Sequence, residues 1–212
     1  MLPYRQRVVR AAYEVVEAFE SLLAEYAGAR FAVAVDSCTI ALQLTLEYQR
    51  VRLGGPARVE LPRRTYVGVA QAAILAGYDI DFVDLEWEAV GQYQLWPTPI
   101  IDSARLLTRD MYAMNTLTCL SFHWSKHLGI GRGGAILTDN PGFVEWAQRM
   151  RFDGRQSGWG SAKVPVLRGG HHAYMTPELA ARGLMLLAAL PDHNAPLPEP
   201  DYPDLSLMEA FR

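Results

Sequence analysis

The sequence offers its fold little sulfur chemistry: two cysteines, Cys38 and Cys119, in 212 residues, each inside an apolar segment. A disulfide framework is excluded, nothing calls for an oxidising compartment, and the cytoplasm is the expected location. Excess positive charge is missing too. A net charge of −3 and a pI near 6.0 supply no field for gathering a phosphate backbone, which argues against bulk nucleic-acid binding. No apolar run reaches membrane-spanning length. The N-terminal stretch MLPYRQRVVRAAYEVV sets charges between its apolar residues, unlike a secretion signal. What remains is ordinary globular composition, half apolar and one fifth charged, in a chain long enough for one sizeable core.

Periodicity fills in the order of elements. Val8, Ala12, Val15, Phe19, Leu22 and Tyr26 recur at helical steps, and Gly28 supplies a stop. FAVAVDS then reads as a strand and CTIALQLTLEYQRVRL as a helix. RVELP, TYVGVAQAAILAGY closing on Gly77, and DIDFVDL repeat the alternation. Residues 86–98 carry Trp87, Gly91, Trp96 and Pro97 with no clear period, and PII before Asp102 is at most a short strand. TLTCLSFH and GAILTD are two further strands. Helices follow over PGFVEWAQRMRF and over MTPELAARGLMLLAAL, the latter with Thr176 as N-cap, Pro177 at the first position and Glu178 in the first turn. The glycine-rich stretch 154–172 is expected to be a functional or disordered loop. The pattern predicts an α/β fold of three layers, a mostly parallel sheet flanked by helices, with ligands beyond the C-terminal strand ends. Residues 1–190 form one large domain in this reading, and 191–212 a Pro-rich tail.

Three places carry chemistry. In DSCTIAL, Ser37, Cys38 and Thr39 stand where a strand gives way to a helix. Backbone N–H groups there favour an anion such as phosphate, while the plainer reading is that Asp36 or Ser37 caps the helix. In PIIDSAR, Asp102 sits at a strand end where a carboxylate holds a cationic ring nitrogen, or else caps a helix. In SFHWSKHLGIGRGG, Lys126 lies among aromatic and apolar residues with Ser121 and Ser125 beside it, a setting for a desolvated amine able to form an imine. His123 and His127 flank it without metal-ligand spacing to Cys or Asp, so packing or hydrogen bonding is expected and no metal. Arg149, Arg151 and Arg155 read as the exposed end of a helix or as a contact for an anionic substrate. The five tryptophans, Trp159 among them, read as core or interface.

Taken in order, EVVEAFESLLAEYAGARFAVAVDSCTIALQL, LPRRTYVGVAQAAILAGYDIDFVDL, PIIDSAR, SFHWSKHLGIGRGGAILTDN and MTPELAARGL resemble the DegT/DnrJ/EryC1/StrS family of sugar aminotransferases, over residues 14–190. The resemblance implies pyridoxal 5′-phosphate (PLP) as cofactor, the type I aspartate-aminotransferase fold, and a homodimer with shared active sites. It implies that Lys126 forms the internal aldimine and carries the proton. Asp102 pairs with the pyridinium nitrogen, and Cys38, Thr39 and Ser121 cradle the phosphate. Tyr66 stacks on the ring. The implied reaction takes an amino group from an amino acid such as glutamate to a nucleotide-linked keto-sugar. Decarboxylation or another lyase reaction, or a binding role without catalysis, are the alternatives. The dehydratase branch of the family carries histidine where this chain has Lys126.

The chain departs from the family at several points. Cys38 stands where the family has Gly. Arg105 replaces the usual His or Gln three residues after the aspartate, near the cofactor's 3′-oxygen. His172 falls in the Asn-x-Arg-Met position that reaches the neighbouring subunit's cofactor, and is either a phosphate donor or a plain loop histidine. The stretch from Asp84 to Asp102 is too short for the strand, His-Leu-Tyr-Gly turn and helix expected there, and most of the small C-terminal domain is absent.

Overall fold

A computed structural model of the chain describes residues 4–156, 165–198 and 201–211. Part of the expected loop 154–172, including Trp159, lies outside the described residues. Helix α1 (Tyr4–Ala27) ends as the glycine signal predicts, with Gly28 at φ +75°. Then come β1 (Phe31–Val35), α2 (Cys38–Glu47) extended by a wider turn over 48–52, β2 (Arg58–Pro62), α3 (Val67–Leu75) and β3 (Asp79–Val83). Strands β4 (Tyr93–Gln94), β5 (Ile100–Asp102), β6 (Leu117–Ser121) and β7 (Gly134–Thr138) follow, then α4 (Pro141–Met150) and α5 (Pro177–Ala188). Ser37, Asn140 and Thr176 cap α2, α4 and α5 through their side chains.

Five strands form one sheet in the order β1-β7-β6-β5-β4, and β2 pairs with β3 in another. The Glu60 N–H donates to the Trp96 carbonyl at 2.8 Å and ties the two together. The sheet is mixed where the alternation predicts mainly parallel strands. β5 and β6 are parallel, as are β2 and β3, but β7 runs antiparallel to both β1 and β6, and β4 antiparallel to β5. The reason lies in the connections. A parallel neighbour needs a crossover long enough to return the chain. The β6–β7 link carries no helix, and β4 reaches β5 through residues 95–99 alone.

Alternate side chains of β1 serve opposite faces. Ala32 and Ala34 join Phe19, Leu23, Leu120 and Leu137 under α1 and α5. Val33 and Val35 join Leu42, Leu44, Val69, Ile136 and Trp146 under α2, α3 and α4. Trp87 is buried with the latter group, whereas Trp96 and Trp124 are exposed. The C-terminal segment packs on the same side: Leu205 is fully buried, and its N–H donates to the Arg63 carbonyl at 2.8 Å. No described helix is long and apolar enough to cross a membrane.

Candidate active site

The ends of β1, β5 and β6 open on one cavity of about 400 Å³. Its wall holds six of the eight residues placed at the cofactor by the resemblance, Cys38, Thr39, Tyr66, Asp102, Ser121 and Lys126, together with Ser37, His123 and Ser125. Local structure accounts for each. Cys38 and Thr39 open α2, so their N–H groups precede the first intrahelical acceptor. The Ser37 hydroxyl accepts from the Ile40 N–H at 3.3 Å, so the capping and anion-site readings of this turn are compatible. Gly134 lets β7 press against that turn, since a Cβ there would lie 2.6 Å from the Cys38 nitrogen. Gly68 does the same for Tyr66 and Thr39: a Cβ would meet the Tyr66 ring at 2.6 Å and the Thr39 hydroxyl at 2.8 Å. Ser121 ends β6, and Lys126 sits in the β6–β7 link with its N–H on the His123 carbonyl at 2.9 Å.

Asp102 ends β5 and is 5% exposed. No helix follows it. Its Oδ1 accepts the Ala104 N–H at 2.9 Å in a local turn, and Oδ2 accepts the Tyr93 hydroxyl at 3.0 Å. Burial pushes its carboxyl above the usual range, and these two donors with the nearby Lys126 charge work against that push. Lys126 is half-buried, and desolvation, with help from Arg105, holds its amine below the ordinary lysine value, while Asp102 acts the other way. Burial lifts the Cys38 thiol well up, which keeps it a neutral wall residue.

Two expected residues are not on this wall. Arg105 is buried with its guanidinium 5.2 Å over the Trp87 ring, and it donates to the Leu197 carbonyl. His172 is exposed, 3.1 Å from Asp153 through Nδ1 and edge-on to Tyr174. Arg151 is not the exposed helix end that its neighbours suggested: its side chain is 6% exposed and paired with Glu20. Among the described residues no group of three or more His, Cys, Asp and Glu side chains is placed to hold a metal.

The structure adds residues that the sequence did not single out. Tyr202, from the C-terminal segment, lines the cavity with its ring 6.4 Å from that of Tyr66. Arg132 stands on the wall in an ion pair with Asp36 at 2.8 Å. Tyr93 and Thr65 lie behind Asp102. Arg132 was visible in the glycine-rich run after Lys126, but nothing local in the sequence brings Tyr93 or Tyr202 to this place.

Comparison with known proteins gives these features a context. The chain is 25% identical over 224 aligned residues to a UDP-4-amino-4,6-dideoxy-N-acetyl-beta-L-altrosamine transaminase of Campylobacter jejuni, an alignment covering 84% of this chain and 57% of that protein. The fold is similar to that of AtS13 from Actinomadura melliaura, with a TM-score of 0.72, 22% identity, and coverage of 84% of this chain and 60% of the other. It is also similar to a DegT DnrJ EryC1 StrS aminotransferase from Brucella abortus, with a TM-score of 0.67, 23% identity, and coverage of 83% and 58%. The chain thus spans less than two thirds of the length of these relatives. The family pattern itself matches residues 5–92 and 104–196, passing over the segment that contains Asp102. With most of its length matched, the chain belongs to the DegT/DnrJ/EryC1/StrS aminotransferase family.

Proposed function

We propose that this chain binds PLP through Lys126 and transfers an amino group from an amino acid such as glutamate to a nucleotide-linked keto-sugar, as a cytoplasmic homodimer. The observation that carries the proposal is the convergence of Lys126, Asp102, Ser121 and the first turn of α2 on one cavity. Members of this family depend on PLP, and the residues present fit that group. A helix N-terminus and hydroxyls suit its phosphate. A buried carboxylate whose two hydrogen-bond donors are uncharged suits a cationic ring nitrogen. An amine of lowered pKa suits its aldehyde. When bound, PLP withdraws electrons from the carbon bearing the amino group.

The chain's own residues do the rest. The N–H groups of Cys38 and Thr39 and the Ser121 hydroxyl hold the phosphate. Asp102 keeps the ring nitrogen protonated by accepting its N–H as an anion. Tyr66, on the same wall, would pack against the ring. Lys126 Nζ, with its charged form disfavoured by burial, serves as nucleophile and then takes up and returns a proton beside the substrate. His172 is not on the wall of its own cavity and is exposed, which fits a role toward the cofactor of a second copy. The transaminase from Campylobacter jejuni acts on a nucleotide sugar, as its name states, and that supports a similar acceptor here.

The test is to incubate the PLP-loaded protein with single amino acids and measure the matching 2-oxo acids. Stoichiometric 2-oxoglutarate from glutamate, lost in Lys126→Ala, is expected. Carbon dioxide or an elimination product in its place, or no conversion of any common amino donor by protein that has taken up PLP, contradicts transamination.

A further inference from the structure

Tyr93 and Asp102 stand directly opposite each other in the antiparallel β4–β5 register, so their side chains share one face of the sheet. The Tyr93 hydroxyl donates to Asp102 Oδ2 at 3.0 Å. A phenol has a single proton. With it committed to Asp102, the 2.7 Å contact between Tyr93 and Thr65 runs the other way, the Thr65 hydroxyl donating to the tyrosine oxygen. Tyr93 is 5% exposed and Thr65 1% exposed, so water does not compete for this chain of bonds.

We infer that Tyr93, backed by Thr65, is the positioning residue that keeps Asp102 ionised and turned toward the cofactor's ring nitrogen. The inference rests on the reading of Asp102 given above. One donor, the Ala104 N–H, engages Oδ1; the second, on Oδ2, fixes the plane of the carboxylate. Both donors are uncharged. A lysine or arginine at position 93 would neutralise the carboxylate and compete with the ring N–H⁺, whereas a phenol stabilises the anion and leaves its charge available. The other titratable groups around Asp102 are Cys38 on α2, Cys119 on β6, Lys126 after β6 and Tyr202 from the C-terminal segment. Burial holds the two thiols and the phenol neutral, so the charge on that side comes from Lys126, with the Arg105 guanidinium acting on both Lys126 and Tyr202. Thr65 directly precedes Tyr66 in sequence, so the hydrogen-bonded network that reaches Asp102 begins on the backbone next to another residue of the cavity wall. The family pattern passes over residues 93–103, and both Tyr93 and Asp102 fall in that gap.

Tyr93→Phe tests this with little repacking, because the ring keeps its edge contact with Trp87, 4.8 Å between centroids. Thr65→Val removes the second hydroxyl at constant shape, and Thr65→Ser restores it. The readouts are the PLP dissociation constant across pH and the ¹⁵N shift of labelled PLP, which reports protonation of the ring nitrogen. Loss of a hydrogen bond to a buried carboxylate is expected to weaken PLP binding by roughly tenfold to a hundredfold in Tyr93→Phe. The pH below which affinity falls is expected to move up, and the ¹⁵N shift toward the unprotonated value. Thr65→Val should follow in the same direction by less, with Thr65→Ser close to wild type, and it decides alone if Tyr93→Phe does not fold. Wild-type affinity, pH profile and ¹⁵N shift in both variants overturn the inference and leave Tyr93 a packing residue. Unchanged PLP binding and ¹⁵N shift in Asp102→Asn overturn the reading of Asp102 and this inference with it. A wild-type protein that takes up no PLP overturns the proposed function itself.

Discussion

Replacing Arg151 by methionine probes how firmly the cofactor turn is anchored. Glu20 on α1 and Arg151 after α4 are a buried pair, their side chains 7% and 6% exposed. Both also grip β1: Glu20 Oε1 accepts the Ala34 N–H at 2.7 Å, and Arg151 donates to the Ala34 carbonyl at 2.6 Å. Ala34 lies three residues before Ser37, the cap of α2, so the pair fixes the strand end from which the anion-binding turn departs. Arg151→Met keeps most of the side-chain volume and strands the Glu20 charge in the core. Breaking one side of a buried ion pair costs about 3–5 kcal/mol. For a domain of this size that converts to a fall in melting temperature of about 6–20 °C. Circular dichroism during thermal and urea unfolding measures it. The double variant Glu20→Gln/Arg151→Met removes the stranded charge and is expected to recover a substantial part of the loss. A loss below about 1 kcal/mol, as for a surface pair, or a double variant less stable than Arg151→Met, refutes the reasoning.

Other outcomes follow from the same geometry. Lys126 should react with an acylating reagent at lower pH than an ordinary lysine, whose pKa is about 10.4, and Asp102→Asn should lower the midpoint further because that carboxylate is the larger of the influences that raise it; peptide-resolved labelling across pH reads both. His171 gains its raised pKa chiefly from Glu47, 3.0 Å away. A folded-state pKa above the unfolded one stabilises most below about pH 6.5 and fades as pH rises through the folded value. The stability difference between wild type and His171→Asn should therefore shrink from acidic to alkaline pH, and a difference that grows would contradict it. Gly134→Ala sets a Cβ 2.6 Å from the Cys38 nitrogen, a clash with backbone that cannot rotate away. It is expected to cost about 1–3 kcal/mol in urea unfolding and to weaken PLP binding as the turn shifts.

Local signals made much of this molecule legible in advance. The steps of three and four in α1, the cap at Thr176 and the glycine stops at Gly28 and Gly77 each appear in the structure where the sequence sets them. The same holds for the strand–turn–helix at Ser37, because each is decided by a few adjacent residues. Strand direction was not legible, since it depends on whether a link contains a helix. The two-residue strand β4 is too short to show a period, so the partnership of Tyr93 with Asp102 emerged only from register. Arg151 looked like one of a surface trio until its nonlocal partner Glu20 appeared. Tyr202 reaches the cavity through the burial of Leu205 in a Pro-rich segment with one short apolar stub, a contact between residues far apart in sequence.

Lys126 as the covalent anchor of PLP is the claim on which the rest depends. The chain contains two lysines, Lys126 and Lys163, which makes the measurement simple to read. PLP-loaded protein is reduced with borohydride, digested, and its peptides weighed. A phosphopyridoxyl group is expected on the Lys126 peptide, absent in Lys126→Ala, with Lys163 unlabelled. Labelling of Lys163 alone, or of neither lysine at saturating PLP, would contradict it.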